Sequence, residues 1–389
     1  MRSSSTLCIL FGTLLSAAGY GATFLIASWF RAQGGSELDA GTTLTMALLG
    51  TLVGVPLVGW WAGRVDSARL GALGALAMAA GYLLLGSLAG LDPASLPRLA
   101  ALLVGLGWGM FYLGAPLALS ERLNDQQRGP GFTRFSAFQM TGICGSPVVL
   151  AALLDNAGLA FSSAFLWVGV TALVAASLLF AFGLSAPRVP ATPRLRPWAR
   201  KITALVPTGA IRPIVMAGLG GAVFSGIMAF QSSLTEGTGA SASAFFALHA
   251  GTAVVLRLLL VRRLSSWPRG TVVICLLTCL AAGVMCLLGS AVHPAFHGAA
   301  AVLTGAGYGL LYPVIQTWAV NASAQEDRHA ALTWFVVAYF IGIFGFPAVG
   351  GWLLVAAGRS SFIWVLAALV MVELAVATAG GRRGVTAGR

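Results

Sequence analysis

The sequence predicts an all-α integral membrane fold, with twelve transmembrane helices in two six-helix bundles related by a parallel pseudo-two-fold repeat. Three observations predict it. The 389 residues are 58% hydrophobic and 9% charged, where a soluble domain carries about 25% charged residues, so the chain cannot coat a water-facing surface. Twelve apolar stretches approach or exceed the roughly 20 residues that a membrane helix needs. Residues 101–158 recur as 301–358 without a gap.

The stretches run at 7–30, 41–62, 69–91, 97–119, 132–154, 161–184, 208–232, 242–262, 270–292, 298–319, 332–356 and 361–380. The first, Leu7 to Phe30, exceeds the about 7–15 residues of a signal-peptide core and lacks a small-residue cleavage site, so it reads as a retained span. Between spans 6 and 7 the chain reads SAPRVPATPRLRPWARKITALVP. Its prolines lack an N–H and forbid a long regular helix, so residues 185–207 read as a linker between bundles at 1–184 and 208–389. With a cytoplasmic N-terminus, nineteen of the twenty-three Lys and Arg fall in cytoplasmic segments. They include Arg64, Arg69, Arg122, Arg128, Arg262, Arg263, Arg269, Arg328, Arg382 and Arg383. Only Arg31, Arg98 and Arg359 fall outside, and Arg257 lies within a span. The positive-inside rule therefore places both termini in the cytoplasm and the linker on that face. A net charge of +12 would suggest nucleic acid in a soluble protein, but here its placement sets orientation, and no nucleic-acid partner is expected. The single lysine among abundant Ala, Gly and Arg suggests a bacterial, GC-rich source, hence the bacterial inner membrane. Cys275, Cys279 and Cys286 share a helical face with no His or carboxylate beside them, so they read as packing residues, with no metal and no cofactor implied.

The repeat aligns GLGWGMFYL with GAGYGLLYP and GICGSPVVLA with GIFGFPAVGG, with eighteen identities in fifty-eight positions. It lays span 4 on span 10 and span 5 on span 11. Six is even, so both copies cross in the same direction. Transporters built of parallel halves bind substrate near the bilayer midplane. Glycines at helical spacing allow close backbone approach, and proline bends a helix while neighbours satisfy the freed carbonyl. Gly142, Gly145 and Pro147, with Gly342, Gly345, Pro347, Gly350 and Gly351, are therefore candidate packing and hinge residues. The two prolines are expected to bend corresponding helices at corresponding depths, and the second copy, with its extra Gly350-Gly351, to make the closer helix contact.

With two groups of six spans, a basic central linker and the loop GWWAGRVDSARLG from Gly59 to Gly71, the chain resembles the major facilitator superfamily over essentially its whole length. It looks similar to that superfamily's bacterial twelve-span efflux permeases. The superfamily's loop after span 2 reads Gly-x-x-x-Asp-Arg-x-Gly-Arg-Arg/Lys. Here Gly59 and Arg64 match, Gly63 stands at the acidic position, and Asp66 and Arg69 are displaced. The resemblance implies a cytoplasmic latch built from Gly59, Arg64, Asp66 and Arg69. The corresponding loop of the second half keeps its bases, among them Arg262, Arg263 and Arg269, without an acid. Span 4 shares the glycine pattern through Gly105 and Gly107, with Ala101 where proton-coupled members often carry Arg. Spans 5 and 11 resemble the antiporter phrase, the second more closely through Gly345-Phe-Pro347-Ala-Val-Gly350-Gly351.

Charges inside a bilayer are expensive and mark function by default. The intramembrane ionisable groups are Arg257, Glu373 and His249. Arg257 is equally readable as snorkelling to the headgroups, and Glu373 lies on a span that is usually peripheral in similar proteins. Glu373 and His249 are the proton-coupling candidates, with Asp39 near the outer mouth. Spans expected to line the cavity carry Tyr20, Trp108, Tyr112, Gln139, Gln231, His249, Tyr308, Tyr312, Gln316 and Tyr339, suited to stacking on and hydrogen bonding with an amphipathic molecule. The expected function is secondary transport, most simply proton-linked efflux. An uptake permease or facilitator for a small metabolite is the alternative. A membrane enzyme acting on lipid is disfavoured, because Glu121, Asp125, Glu326 and Asp327 read as solvated loop charges and His293 and His297 as external. The expected partners are a small-molecule substrate, membrane lipid and protons, with the protein acting as a monomer.

Overall fold

The computed structural model describes residues 3–61, 64–88, 95–123, 125–185, 202–264, 267–324 and 327–379. Gly63, Glu326, Arg382, Arg383 and linker residues 186–201 lie outside the described residues, as do the side chains of Asp125, Arg128, Arg262, Arg263 and Arg328. The chain divides into two compact units, Met1–Arg196 and Pro197–Arg389. The first holds α1 (Ser3–Ala22), a 3-10 turn at Thr23–Leu25, α2 (Ile26–Ala32), α3 (Glu37–Trp61), α4 (Ser67–Ser87), α5 (Ser95–Ser120), α6 (Asp125–Ala157) and α7 (Phe161–Ser185). The second holds α8 (Ile202–Leu205), α9 (Ile211–Ala229), α10 (Gln231–Thr235), α11 (Ala242–Leu264), α12 (Arg269–Gly289), α13 (Pro294–Asn321) and α14 (Arg328–Thr378).

Among the described residues, ten helices are long and apolar enough to cross a membrane, α1 and α2 forming one of them. The last contains a break. Gly358 has φ 76°, ψ 176°, a backbone region that glycine enters without strain. In an unbroken helix Phe346 and Phe362 would stand about 24 Å apart, yet their ring centroids lie 6.2 Å apart, so α14 is two arms folded back at Gly358. Gly158, with φ 63°, ends α6 in the first half. Among the described residues, helix α11 shows a shorter apolar stretch, Ala242–Arg257. With α14 taken as two arms and α11 included, the twelve expected spans each have a helix.

The GLGWG and GAGYG phrases explain the middle of each unit. Residues two apart on a helix point about 200° apart, and residues four apart share a face. A Cβ on Gly105 or Gly109 would run into Ala47 and Thr51 of α3, and one on Gly107 into Gly74 and Met78 of α4. Helix α5 is thus clasped on opposite faces, backbone to backbone. The single Thr51 hydroxyl proton is shared between Ala47 O of its own helix at 2.9 Å and Gly105 O of α5 at 3.0 Å. In the second unit Gly305 and Gly309 meet His249 and Ala253 of α11, while Gly307 meets Leu276 and Leu280 of α12.

The second repeated phrase seats the outer pair of helices. A Cβ on Gly142 would collide with Leu14 O and Ala18 N of α1, and one on Gly342 with Gly218 O and Ala222 N of α9. These contacts shift by 200 residues on one helix and 204 on the other, so Gly21 corresponds to Ser225. Gly21 presses on Ile143 O, and Ser225 Oγ donates to Ile343 O. The repeat therefore reaches spans in which sequence identity has faded. Both helices continue through Pro147 and Pro347. Gly145 meets nothing within 4 Å, and Gly350 meets only side chains, Phe362 and Phe230 among them. Gly142 comes closer to neighbouring backbone than Gly145, and Gly342 closer than Gly350.

Gly142→Ala and Gly342→Ala are each expected to destabilise the detergent-solubilised protein by about 1–3 kcal/mol, because backbone must shift to admit the methyl group. Gly145→Ala is expected to be neutral or slightly stabilising, within about 1 kcal/mol. Thermal unfolding of the three variants beside wild type checks both statements.

Candidate functional site

Several of the predicted aromatic residues meet inside their own unit. Tyr20 of α1 stacks on Trp108 of α5 with ring centroids 4.3 Å apart and planes at 14°, both about 1% exposed. Tyr112, one turn on, packs against Trp108 at 5.4 Å. Gln139 is buried on α6. In the second unit, Phe224 of α9 stacks on Tyr308 of α13 at 4.5 Å and 10°. By the shifts above, Phe224 corresponds to Tyr20 and Tyr308 to Trp108, so the two units carry the same stacked pair. Tyr312 packs edge-on against Tyr339 at 4.9 Å, and Gln316 is half-buried one turn further along α13. Gln231 does something else. It stands just past Phe230, where α9 breaks (φ −109°, ψ 30°), and its Nε2 donates to Ile227 O at 2.7 Å. It satisfies a carbonyl freed by the break.

His249 is buried, and its Nδ1 lies 3.0 Å from Thr304 Oγ1. The Thr304 hydroxyl proton goes to Ala300 O at 2.7 Å, so the imidazole is the donor to Oγ1 and carries its hydrogen on Nδ1. Arg257, two turns along α11, donates to Gly309 O at 2.7 Å, tying α11 to α13. Glu373, in the second arm of α14, is wholly buried, and neither carboxylate oxygen has a hydrogen-bond partner among the described residues. Its oxygen Oε1 and the ring edge of Tyr308 both lie 3.3 Å from where Gly220 would carry a Cβ. The missing side chain makes the space that the carboxyl occupies.

Two sequence expectations about histidines and acids change. His297 lies within α13 rather than outside the span. His293 caps α13 by accepting from Ala295 N at 3.1 Å, and Pro294 opens the helix, so α13 begins earlier than hydropathy suggests and His297 is 2% exposed. Asp39 forms a capping box with Ser36. Ser36 Oγ accepts from Asp39 N at 3.1 Å and donates to Asp39 Oδ2 at 2.6 Å. This anchors the start of α3 and accounts for the acid structurally. The residues that sequence reasoning missed are Phe224, Phe245 and Thr304. Each is a common residue in an apolar span, and only the correspondence of the two units singles them out.

The loop after α3 holds a charge cluster whose cation was not anticipated. Asp66 caps α4 by accepting from Ala68 N at 2.8 Å, and its Oδ2 accepts from Arg122 at 2.7 Å. The Arg122 side chain is 1% exposed, lies over Phe182 at 5.0 Å and donates to Ala118 O at 3.1 Å. Glu121, far from being a solvated loop charge, accepts from Ser67 Oγ and stands 3.6 Å from Arg122. Arg64 is exposed, Arg69 lies over Phe180 at 5.9 Å, and Gly59 is half-buried in the last turns of α3. Asp66 therefore pins the start of α4 to the end of α5 through Arg122. Arg122→Ala would leave Asp66 facing a protein wall without its cation. An expected loss on the order of 2–3 kcal/mol falls below the value for a fully buried pair, because Asp66 keeps some contact with water. A double-mutant cycle with Asp66→Asn, read by thermal unfolding, should recover most of that loss as coupling.

Comparison with known proteins bears on the whole chain. The profile of the Major Facilitator Superfamily matches residues 9–344. No curated protein matches the sequence. Among solved structures, a mutant of the nucleoside transporter NupG superposes with a TM-score of 0.76 at 13% identity, covering 96% of this chain and 99% of its own. An auto-inhibited POT family peptide transporter gives 0.72 at 15% identity, covering 96% and 95%. A bacterial homologue of the human lysosomal transporter Spinster, inward-facing and unoccupied, gives 0.69 at 15%, covering 97% and 96%. At such identities these likenesses speak for the fold alone. With the profile match over most of its length, the chain belongs to the Major Facilitator Superfamily, as a multi-pass, non-enzymatic secondary transporter of small molecules.

Proposed function

We propose that the transporter exports a small amphipathic molecule across the bacterial inner membrane by proton-linked alternating access, acting as a monomer with both termini cytoplasmic, and that Glu373 carries the proton. The observation behind this is the carboxyl of Glu373, fully buried and without a hydrogen-bond partner or a cation within 4.0 Å among the described residues. An ionised carboxylate left in that state costs several kcal/mol, and the neutral acid avoids the penalty. Release of the proton then requires a conformation in which water reaches position 373. That is the coupling a proton-driven cycle needs: the acid is loaded when closed in and unloads when opened.

Tyr112 in one unit, and Tyr312 and Tyr339 in the other, are partly buried and supply ring surface and hydroxyl groups for recognition, while Tyr20, Trp108 and Tyr308 are closed in their stacks in this conformation. Such groups suit a substrate with an aromatic body and few polar atoms. Gln139, Gln316 and His249 are the polar contacts proposed beside them. Export rather than uptake is supported by the phrase Gly345-Phe-Pro347-Ala-Val-Gly350-Gly351, which resembles that of antiporters. Gly142 and Gly342 are proposed as the pivots about which α6 and the first arm of α14 move, with Pro147 and Pro347 as the bends.

In proteoliposomes screened against a panel of amphipathic drugs and dyes, a proton gradient should drive flux of at least one compound. Glu373→Gln should lower the gradient-driven component by about tenfold or more while sparing exchange between preloaded and external compound. Equal proton dependence in wild type and variant would remove Glu373 from the cycle.

A further inference from the structure

An unbroken column of side chains leads from His297 to Glu373 inside the second unit. The His297 ring centroid lies 4.9 Å from that of Phe245. Phe245 stacks on His249 at 6.0 Å and 19°. His249 lies 5.9 Å from Phe224, which stacks on Tyr308 at 4.5 Å, and Tyr308 shares the Gly220 gap with Glu373. Four helices contribute, and the column runs from the first turn of α13 to the second arm of α14.

His297 is its most informative member. The residue is 2% exposed, and neither ring nitrogen has a partner among the described residues. Packing alone does not explain an imidazole there, since phenylalanine would fill the same space without desolvating two nitrogens. His249 is half explained, because its Nδ1–H bond to Thr304 joins α11 to α13. That bond leaves Nε2 as the basic nitrogen. The titratable and charged groups facing the column are few among the described residues. Arg359 acts on His297, while donating to Leu287 O at 3.0 Å and to Ser290 Oγ. His293 is turned to its capping bond, Arg257 to Gly309 O, and Tyr308 stands beside Glu373.

We infer that His297 and His249 are proton-relay residues serving Glu373, and that the rings of Phe245 and Phe224 close the relay in this conformation. The inference rests on Glu373 being the proton site. Only N–H and O–H bonds change. A hydronium ion at the outer end gives a proton to a nitrogen of His297 and is left as water. The imidazolium passes a proton to Nε2 of His249 when Phe245 swings aside, and His249 delivers one to the Glu373 carboxylate when Phe224 leaves Tyr308. Each imidazole returns to its neutral form, and the carboxylate becomes the acid. The relay opens at the end of the unit where α13 begins, which the arginine distribution assigns to the external side. Protons entering by it would thus follow the gradient that drives export.

Infrared difference spectroscopy after an acid pH jump, on the full chain in lipid nanodiscs, tests this without a known substrate. The protonated-carboxyl band abolished by Glu373→Gln reports arrival of the proton. His297→Phe, which fills the site but carries no proton, should slow its appearance about tenfold. Phe245→Leu, which removes the spacer between the imidazoles, should speed it, and this variant decides the matter if the first does not fold. Unchanged rates in both variants, with the band present, would overturn the relay and leave Glu373 as the proton site. Absence of any band sensitive to Glu373→Gln would overturn both readings.

Discussion

The architecture depends on backbone meeting backbone inside lipid. Between membrane helices there is little hydrophobic gain, because lipid tails are as apolar as leucine, and close van der Waals approach does the work instead. Helices α5 and α13 achieve it with glycines two and four residues apart, which open opposite faces of one helix to two neighbours. Gly142 and Gly342 seat α1 and α9 in the same way. Two buried polar groups of the second unit lie against such glycines. His249 lies where Gly305 lets α11 approach α13, and Glu373 sits in the gap left by Gly220.

The two units share a frame but not a chemistry. Corresponding positions run Ala47 to His249, Val55 to Arg257, Val104 to Thr304, Gly21 to Ser225 and Trp108 to Tyr308, as the matching glycine contacts align them. At these positions the second unit holds a group able to donate or accept a proton, or an additional one, whereas Tyr20 to Phe224 and Thr51 to Ala253 run the other way. Buried polar groups are costly, and a duplicated frame tolerates them where they act. The first unit concentrates its charges at a helix end instead, where Asp66, Arg122 and Glu121 close the loop between α3 and α4 onto α5. On the proposed function, that asymmetry assigns the proton chemistry to the second unit.

Much of this is readable in the sequence, for physical reasons. Span length and arginine placement follow from bilayer thickness and membrane insertion, which act on composition. The repeated glycine phrases are visible because close approach admits only one residue type. The partner of Asp66 was not readable, since Arg122 is distant in sequence and looks like any basic residue in a short loop. His297 was misplaced because a proline and a capping histidine start α13 outside the apolar run. The ring column was hidden because phenylalanine in a membrane helix carries no signal of its own. Glu373 stood out as an acid in an apolar span, but its burial against Gly220 depends on packing, which hydropathy does not report.

The central claim is that Glu373 binds and releases a proton within the folded protein. The most direct measurement is a potentiometric difference titration of purified wild type against Glu373→Gln, over the pH range in which both remain folded. The account predicts that the curves diverge by about one proton per chain, and that locking the protein closed suppresses the divergence. Curves that coincide throughout that range would contradict it.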